Sequence, residues 1–353
     1  MKKILIVFDD FNDGAGNMAQ ILYKYLSPNY DVYLLMMDYR NSNPRYDVDS
    51  KKILIYDSKN KKRFRYLFYS IKFVKNIIKK YKFDTVVSFL DNINSIVSLS
   101  LYFNKTVNLI VSERSNPLAI MPSNKFYSIL RRIAYKRANF VSVQFDDFKY
   151  FENSKFISKC VETPNIILPA PYKRTSRNDD NIIFISCARF ASIKRFDLLI
   201  KLFNEIYKKN SNCRLILCGD GPERMNIENL INKYNLTDAV NLVGNVKNIY
   251  QYLKNSDIYL MTSLQEGFPN SLSEGLATGL PAVVFACHNG IKKLVVDDFN
   301  GYCIDEGKND EFVKKCLYLS MNKDLINKFG DNSIKIANEY SYDKILSIWE
   351  NLL

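Results

Sequence analysis

Short apolar runs alternate with longer amphipathic stretches along almost the whole chain. The longer stretches, such as Asn17–Leu26, Lys61–Lys80 and Lys125–Arg137, repeat their apolar residues with the period of an α-helix. This alternation predicts parallel β-sheets covered by helices, that is, an α/β fold. The runs that we predict as strands are Ile4–Phe8, Val32–Met36, Thr85–Phe89, Asn108–Val111, Phe140–Val143, Ile182–Ser186, Arg214–Cys218, Val240–Val243, Asp257–Met261, Ala282–Phe285 and Tyr302–Ile304.

The alternation is interrupted once, over Thr163–Asn181, which contains three prolines and ends in polar and charged residues. This composition is typical of an interdomain linker. We therefore predict two doubly wound domains, at 1–166 and 181–339, joined by a linker at 167–180. The final segment, 340–353, is amphipathic, and we predict a helix that packs back on the first domain.

Composition narrows the class of protein. A length of 353 residues fits two domains, and a net charge of +13 indicates an anionic partner, which leaves nucleic acid, acidic lipid and a phosphate-bearing substrate open. The seven cysteines include no C-x-x-C pair, which predicts buried free thiols in a reducing compartment. The one histidine, His288, leaves little material for a zinc site or a Ser-His-Asp triad. No apolar run is long enough to span a bilayer, and the N-terminus resembles a strand more than a signal peptide.

Residues that could bind a ligand follow the predicted strands of the second half of the chain. In an open parallel sheet, ligands bind at the carboxyl ends of the strands. Arg189 and Lys194 follow one strand, and two cations there suit a diphosphate. Gly219 and Gly221 follow the next strand, where glycine permits close approach of the backbone to a ligand. The segment GNVKN, which contains Val246, follows a third strand.

The loop after strand Asp257–Met261 contains two glutamates, Glu266 and Glu274, separated by seven residues. If Asn270 or Ser271 caps a helix that runs to Thr278, Glu274 lies in its first or second turn. The N-terminus of such a helix offers free N–H groups and the positive end of its dipole to a phosphate.

This loop, EGFPNSLSEGLATGLPAVVF, resembles the E-x7-E signature of the retaining family-4 glycosyltransferases of the GT-B fold. The segments ARFxxxKR, GDGP, GNV, SDIYLMTS and DDFNGYCI occur in the order and spacing of that family, and the resemblance covers residues 160–305 most clearly. It implies two facing Rossmann-like domains with the active site in the cleft between them. The N-terminal domain would bind the acceptor and the C-terminal domain the nucleotide sugar.

The resemblance also implies roles for individual residues. Arg189 and Lys194 would hold the donor pyrophosphate, Glu274 the ribose hydroxyls, and Glu266 would face the donor sugar. Transfer would proceed with retention, and the departing diphosphate would accept the proton of the acceptor, so that no metal or other cofactor is needed. The catalytic residues are then Arg189, Lys194 and Glu266. The donor-binding residues are Gly14, Gly16, Gly219, Gly221, Val246, Gly267, Phe268, Pro269, Asn270, Ser271 and Glu274.

The first half departs from the family pattern. NDGAGN resembles the glycine-rich loop of the family, but Asp13 and Gly16 replace two of its usual residues. The histidine that many members carry in this half is absent, and Ser112–Pro117 is the polar segment closest to its role. In the second half, Lys293 stands where the family usually has an acidic residue. His288 either contacts the sugar or has a structural role. Asp47-Val48-Asp49 resembles a metal-binding D-x-D motif, which we interpret as chance.

Positive charge is concentrated in Lys61–Lys82, which contains nine basic residues and no acidic one. The segment is a solvated helix, a basic amphipathic helix on anionic lipid, or a grip for a lipid-linked pyrophosphate. A second basic stretch contains Arg131, Arg132, Lys136 and Arg137. The residues that we assign to acceptor or membrane contact are Glu113, Arg114, Lys72, Lys75, Lys79, Lys80, Arg131 and Arg132. Nucleic acid is disfavoured, because no binding motif accompanies the charge.

The resemblance, taken together with the composition and charge, implies a monomeric, retaining bacterial glycosyltransferase. It would move a hexose or N-acetylhexosamine from a UDP-sugar to an undecaprenyl-pyrophosphate-linked saccharide in O-antigen, capsule or N-glycan assembly. We expect it in the cytoplasm, peripheral on the inner face of the cytoplasmic membrane. Two alternatives remain: a nucleotide-sugar epimerase of the same fold, and a non-catalytic, membrane-bound subunit that binds sugar nucleotides. Turnover of a UDP-sugar separates the last of these from the enzymes.

Overall fold

A computed structural model describes residues 1–38, 43–56, 63–114, 131–132, 135–145, 156–175, 180–288 and 290–353. The chain divides into two compact units. The first contains Met1–Ile166 together with Asp343–Leu353, and the second contains Ile167–Tyr342. Each unit is built on one parallel sheet, which confirms the predicted α/β class.

The sheet of the first unit has seven strands in the order β3-β2-β1-β4-β5-β6-β7. Apolar side chains on both faces of this sheet form the core with α1, α2, α3 and α11. The elements are β1 (Lys3–Phe8), α1 (Gly14–Leu26), β2 (Asp31–Met36), β3 (Ile53–Ile55), α2 (Arg63–Tyr81), β4 (Thr85–Phe89), α3 (Asp91–Ser100), β5 (Asn108–Ser112), β6 (Phe140–Val143), β7 (Cys160–Glu162) and α11 (Tyr342–Leu352).

Helix α11 completes the first unit from the far end of the chain. The indole of Trp349 is fully buried and lies with its ring centroid 6.1 Å from that of Phe89. Asn108 Nδ2 donates a hydrogen bond of 2.6 Å to the carbonyl of Leu352. Burial of an aromatic side chain of this size stabilises a fold by roughly 3 kcal/mol.

The sheet of the second unit has six strands in the order β10-β9-β8-β11-β12-β13. All of its strand pairs are parallel. The elements are β8 (Ile182–Cys187), α4 (Phe196–Lys209), β9 (Cys213–Cys218), α5 (Arg224–Lys233), β10 (Val240–Gly244), α6 (Tyr250–Leu253), β11 (Ile258–Met261), α7 (Asn270–Thr278), β12 (Ala282–Phe285), α8 (Ile291–Leu294), β13 (Gly301–Ile304), α9 (Asn309–Ser320) and α10 (Lys323–Glu339).

The eleven predicted strands are present with ends that differ by at most one residue, whereas β3 and β7 were not predicted. Both missed strands are three residues long, too short to show a hydrophobic period. Helices predicted at Asn17–Leu26 and Lys61–Lys80 correspond to α1 and α2. The helix predicted at Lys125–Arg137 lies largely outside the described residues.

The segment predicted as a linker packs on the second unit where the structure describes it. The N–H of Ile167 donates to the carbonyl of Tyr340 at 2.8 Å. Arg174 and Thr175 donate their N–H groups to the carbonyls of Thr278 and Lys254, both at 2.7 Å. Across the described ranges, no helix is both long enough and apolar enough to cross a membrane.

Candidate functional site

The second sheet has a topological switch point between β8 and β11. These two strands are neighbours in the sheet, and the chain then proceeds outward on opposite sides, through β9 and β10 on one side and β12 and β13 on the other. Ligands of open α/β sheets bind in the crevice at the carboxyl ends of such a strand pair. The loops that follow β8 and β11 contain Arg189, Lys194 and Glu266, so all three predicted catalytic residues lie at this end of the sheet.

Lys194 and Glu266 form an ion pair across the switch point. Lys194 Nζ lies 2.7 Å from both carboxylate oxygens of Glu266. The backbone supports this geometry, because Leu264 donates its N–H to the carbonyl of Ile193 at 2.8 Å. Thr262 Oγ1 adds hydrogen bonds to the carbonyls of Lys194 and Arg195. The two loops are therefore held together by backbone and side chains alike.

Arg189 follows β8 by two residues, and its side chain is exposed. Within the described part of the chain, its guanidinium has no hydrogen-bond or ion-pair partner. The next residue is fixed, since Phe190 donates its N–H to the carbonyl of Asp220 at 2.9 Å. The site thus combines one paired cation, Lys194, with one cation that is open to an incoming anion.

Gly219 and Gly221 pack the loop after β9 against the loop after β8. Both have positive φ, +149° and +155°. A Cβ on Gly219 would lie 1.9 Å from the carbonyl oxygen of Ala188, and one on Gly221 would lie 2.5 Å from that of Phe190. Glycine is needed here for the approach of two protein segments, beside any approach of a ligand. The two glycines therefore allow close packing against Ala188 and Phe190, the residues on either side of Arg189.

Helix α7 begins differently from our expectation. Asn270 and Ser271 do not occupy the cap position: Pro269 does, and it makes no side-chain cap hydrogen bond. Ser271 Oγ instead donates a hydrogen bond of 2.5 Å to the carbonyl of Cys187, the last residue of β8. The predicted end at Thr278 is correct, and Glu274 is the fifth residue of the helix, partly buried.

The remaining predicted donor residues differ in their exposure. Phe268 and Pro269 are buried, and the ring of Phe268 packs against that of Tyr340 at 5.9 Å. Gly267 and Val246 are partly buried, in the loops after β11 and β10. Phe268 and Pro269 therefore form the base of their loop, whereas Gly267 and Val246 are more open to a ligand.

His288 lies close to the same loop. Its Nδ1 accepts a hydrogen bond of 3.0 Å from the N–H of Gly290, which closes the turn after β12. Burial lowers the pKa of His288, while the Glu266 carboxylate and the backbone of Gly267 act in the opposite direction. The contact with Gly290 gives the histidine a structural role beside any contact with a sugar.

In the first unit, the glycine-rich loop forms the start of α1. The carboxylate of Asp13 caps this helix by accepting a 2.5 Å hydrogen bond from the N–H of Gly16. A Cβ on Gly16 would lie 1.9 Å from the carbonyl oxygen of Asp10, so this position is closed to every other residue. Gly14, the first residue of α1, is exposed at the carboxyl end of β1.

Glu113 is buried directly after β5. Its carboxylate accepts hydrogen bonds from the hydroxyl of Tyr135 and, at 2.8 Å, from Arg131 Nη2. Burial raises the pKa of Glu113 to about 7, although the Arg131 guanidinium opposes the shift. The contacts of the Glu113 carboxyl group in this structure are internal, and its predicted contact with acceptor or membrane stays a prediction.

Arg114 is also buried, and it holds the centre of the first unit. Its guanidinium donates to the carbonyl of Thr163 at 2.8 Å and to Asn165 Oδ1 at 2.9 Å. It lies over the rings of both Phe89 and Trp349, 5.2 and 5.4 Å from their centroids. Burial lowers its pKa to about 9. The contacts of Arg114 are therefore internal, and they join α11 to the sheet.

The basic segment forms an exposed face on α2. Lys72, Lys75, Lys79 and Lys80 are all exposed, and the helix contains no acidic residue. None of the four forms an ion pair with a described residue. Two aromatic rings lie on the same helix face, Phe68 and Tyr69, with 66% and 46% of their surface exposed.

The second basic stretch is divided. Arg132 and Lys136 are exposed, whereas the guanidinium of Arg137 is enclosed by the backbone carbonyls of residues 101, 104 and 107. Asp49 of the D-x-D sequence accepts a 2.9 Å hydrogen bond from the N–H of Lys51 and so caps a short turn. Among the described residues, no three His, Cys, Asp or Glu side chains are placed to share a metal ion.

One residue of this site was not singled out from the sequence. Tyr259 interrupts the otherwise aliphatic strand β11, and its hydroxyl bonds to residues of both β8 and α7. A buried tyrosine needs a partner for its hydroxyl, so a lone tyrosine within an aliphatic strand was an available signal.

The chain is similar in sequence to known glycosyltransferases. Residues 172–336 match the family model described as Glycosyl transferases group 1. The amylovoran biosynthesis glycosyltransferase AmsD of Erwinia amylovora is 27% identical over 364 residues, which cover 100% of both chains. A Campylobacter jejuni protein, N-acetylgalactosamine-N,N'-diacetylbacillosaminyl-diphospho-undecaprenol 4-alpha-N-acetylgalactosaminyltransferase, is 24% identical over 365 residues, covering 98% of this chain and 97% of its own.

Solved structures show the same fold. Alr3699/HepE of Anabaena, crystallised in complex with UDP, superposes with a TM-score of 0.81. The match covers 100% of this chain and 99% of that one, at 16% sequence identity. An identity this low supports the fold alone, and the predicted α/β fold with two Rossmann-like units is confirmed.

Proposed function

We propose that the chain is a retaining hexosyltransferase, because residues 172–336 match the glycosyl transferases group 1 family model and the fold resembles that of solved glycosyltransferases. It moves a hexose or N-acetylhexosamine from a UDP-sugar to a saccharide carried on undecaprenyl pyrophosphate. The observation that carries this proposal is the convergence of Arg189, the Lys194–Glu266 pair and the first turn of α7 at one switch point.

The donor half of the proposal follows from charge and position. The exposed guanidinium of Arg189 and the ammonium of Lys194 suit a diphosphate, because guanidinium and ammonium groups form charge-assisted hydrogen bonds with phosphate oxygens. Glu274, one turn inside α7, is assigned to the ribose hydroxyls. The UDP in the crystal structure of the Anabaena protein supports this choice of nucleotide.

Lys194 and Glu266 act as a unit in this scheme. The pair holds the Glu266 carboxylate in a fixed orientation, so that it can accept hydrogen bonds from sugar hydroxyls. When a donor diphosphate is bound, Lys194 also faces the charge that develops on the leaving group. Fixed cations and backbone N–H groups then stabilise the transition state without a metal ion, since their positions do not have to reorganise.

The acceptor half rests on the first unit and on one relative. The name of the Campylobacter jejuni relative specifies a diphospho-undecaprenol acceptor, which is a lipid-borne polyanion. The α2 face of this chain offers Lys72, Lys75, Lys79 and Lys80 on a helix that contains no acidic residue, and the exposed rings of Phe68 and Tyr69 lie on the same helix. Such a face suits an anionic bilayer surface, where lysines attract the headgroups and aromatic rings enter the interface. We therefore place the enzyme on the cytoplasmic side of the membrane.

A product assay tests the function directly. UDP release is measured for a panel of UDP-sugars, with and without an undecaprenyl-pyrophosphate-linked saccharide, and the new glycosidic bond is assigned by NMR. We expect acceptor-dependent UDP release and an α-linked product from an α-linked donor. The same assay is applied to Arg189→Ala. Its control is Lys201→Ala, which removes an exposed cation of α4 and should retain full activity.

Two results would overturn the proposal, and a third would overturn its stereochemistry. Epimerised UDP-sugar without transfer indicates the epimerase, and tight UDP binding without turnover of any donor indicates the non-catalytic subunit. A β-linked product from an α-linked donor contradicts retention alone.

A further inference from the structure

Three residues of the second unit form a closed ring of hydrogen bonds. The N–H of Cys187 donates to Tyr259 Oη at 3.3 Å, and Tyr259 Oη donates to Ser271 Oγ at 2.9 Å. Ser271 Oγ then donates to the carbonyl of Cys187 at 2.5 Å. The carbonyl of Cys187 is a second acceptor for Tyr259 Oη, at 3.2 Å, and hydrogen bonds linked in this way reinforce one another.

The ring joins the two segments that form the candidate site. Cys187 is the last residue of β8 and precedes Arg189 by two positions, while Ser271 precedes Glu274 by one helical turn. Tyr259 lies in β11, which pairs with β8 through Tyr259 and Ile185. The hydroxyl of Tyr259 therefore connects the loop that carries the arginine with the helix that carries the glutamate.

The aromatic ring of Tyr259 also sets the height of α7 above the sheet. A Cβ on Gly275 would lie 2.8 Å from Tyr259 Cδ2, so the backbone of α7 rests directly on the phenol ring. Tyr259 is almost completely buried, and burial holds its pKa well above the ordinary value of 10.0, which keeps the hydroxyl protonated. A larger residue than glycine at 275 would lift the helix from this support.

We propose that Tyr259 is a positioning residue that fixes the distance between Arg189 and Glu274, and hence the fit of the diphosphate and the ribose. It touches neither ligand group itself. Since the two ends of a nucleoside diphosphate are held at once, a shift of about 1 Å in one holder weakens the complex. This role rests on the proposed function, and it adds a residue to which neither the motif nor the comparisons assign a part.

The substitution Tyr259→Phe tests the role, because it keeps the ring beneath Gly275 and removes only the hydroxyl. UDP affinity is measured by calorimetry, and the melting temperature by scanning calorimetry. Tyr302→Phe is the matched control: Tyr302 is an equally buried tyrosine of the same sheet, and its ring packs on Tyr318 and Phe329. Ser271→Ala and the double variant with Tyr259→Phe complete the set.

We expect Tyr259→Phe to weaken UDP binding roughly fivefold to tenfold, the effect of one lost hydrogen bond. Tyr302→Phe should leave the UDP affinity unchanged, even where it lowers the melting temperature equally. Ser271→Ala should weaken binding as well, and the double variant should lose less than the two single effects combined, because both substitutions open the same ring.

The outcomes separate this role from the proposed function. Wild-type affinity for UDP in Tyr259→Phe overturns the positioning role, as do equal losses in Tyr259→Phe and Tyr302→Phe. Absence of UDP binding by the wild-type protein overturns the proposed function, and the positioning role with it.

Discussion

The ammonium of Lys194 contacts both oxygens of the Glu266 carboxylate at 2.7 Å, across 72 positions of sequence. Both side chains are mostly buried, so neither charge can be removed without leaving the other poorly solvated. The pair thus contributes to the stability of the second unit and, in our proposal, to catalysis.

This relationship predicts non-additive variants. Lys194→Ala and Glu266→Ala should each destabilise the protein, while the double variant should lose about 1 kcal/mol less than the sum, as measured by urea denaturation. Lys201→Ala with Asp197→Ala, an exposed pair of α4 with a distance of 3.3 Å, is the control and should show almost no coupling. Strictly additive losses at Lys194 and Glu266 would show that the pair has no energetic role.

Glu274→Ala should weaken UDP binding by roughly 1.5–3 kcal/mol, because a hydrogen bond from a ribose hydroxyl to a carboxylate has about this strength. Calorimetric titration with UDP measures the effect. Glu228→Ala, which removes a partly exposed carboxylate from α5, should bind UDP like the wild type. If Glu274→Ala does so too, the carboxylate does not hold the ribose.

We expect turnover to continue in EDTA. Arg189, Lys194 and the first turn of α7 are assigned to neutralise the leaving diphosphate, so that a divalent cation is unnecessary. The assay compares UDP release after extensive dialysis against EDTA with that after addition of Mn²⁺ or Mg²⁺. Activity that disappears in EDTA and returns with either ion would contradict this prediction.

Replacement of Lys72, Lys75, Lys79 and Lys80 by Gln should weaken binding to anionic vesicles, by about 1 kcal/mol for each cation that lies near the surface. The difference should shrink with added salt, since the screening length is about 10 Å at 0.1 M. Sedimentation with vesicles of mixed phosphatidylglycerol and phosphatidylcholine measures it, and UDP affinity should not change. The control replaces four exposed lysines of the second unit, Lys201, Lys208, Lys209 and Lys233, by Gln. If both variants lost vesicle binding equally, the overall charge of the protein and not the α2 face would account for the binding.

Glu113 should make stability depend on pH. Its pKa is raised from 4.5 to about 7, so the folded protein keeps a proton that the unfolded chain loses. The contribution of this proton is complete below pH 4.5, falls as pH rises towards 7 and is then lost, a change of about 3 kcal/mol. Glu113→Gln should remove this slope from the melting temperature measured against pH, whereas Glu228→Gln should keep it. If Glu113→Gln kept the wild-type dependence of the melting temperature on pH, a group other than Glu113 would be responsible for it.

The sequence predicts the sheets well, because each strand of four or more residues is an apolar run bounded by polar loops. Strands β3 and β7 do not give that signal because they are only three residues long. Among the site residues, Arg189, Lys194 and Glu266 are recognisable because they follow strands that lie side by side.

What sequence reasoning cannot supply is the direction of individual side chains. Glu113 and Arg114 follow a strand in the same manner as Arg189, yet their side chains turn inward, towards Tyr135 and Trp349. Serine is a residue type that often caps helices, yet the side chain of Ser271 donates its hydrogen bond to the carbonyl of Cys187. In each case the outcome depends on partners distant in sequence, which a local pattern does not contain.

The place of α11 has a consequence for the order in which the chain is completed during synthesis. Residues 167–342 form the second unit as one continuous segment, whereas the first unit also requires residues 343–353. Domains ordinarily finish in the order in which they leave the ribosome. In this chain the order is reversed. The first unit is synthesised first but cannot complete its fold until Trp349 has been made. Until then, the apolar surface around Phe89 stays uncovered.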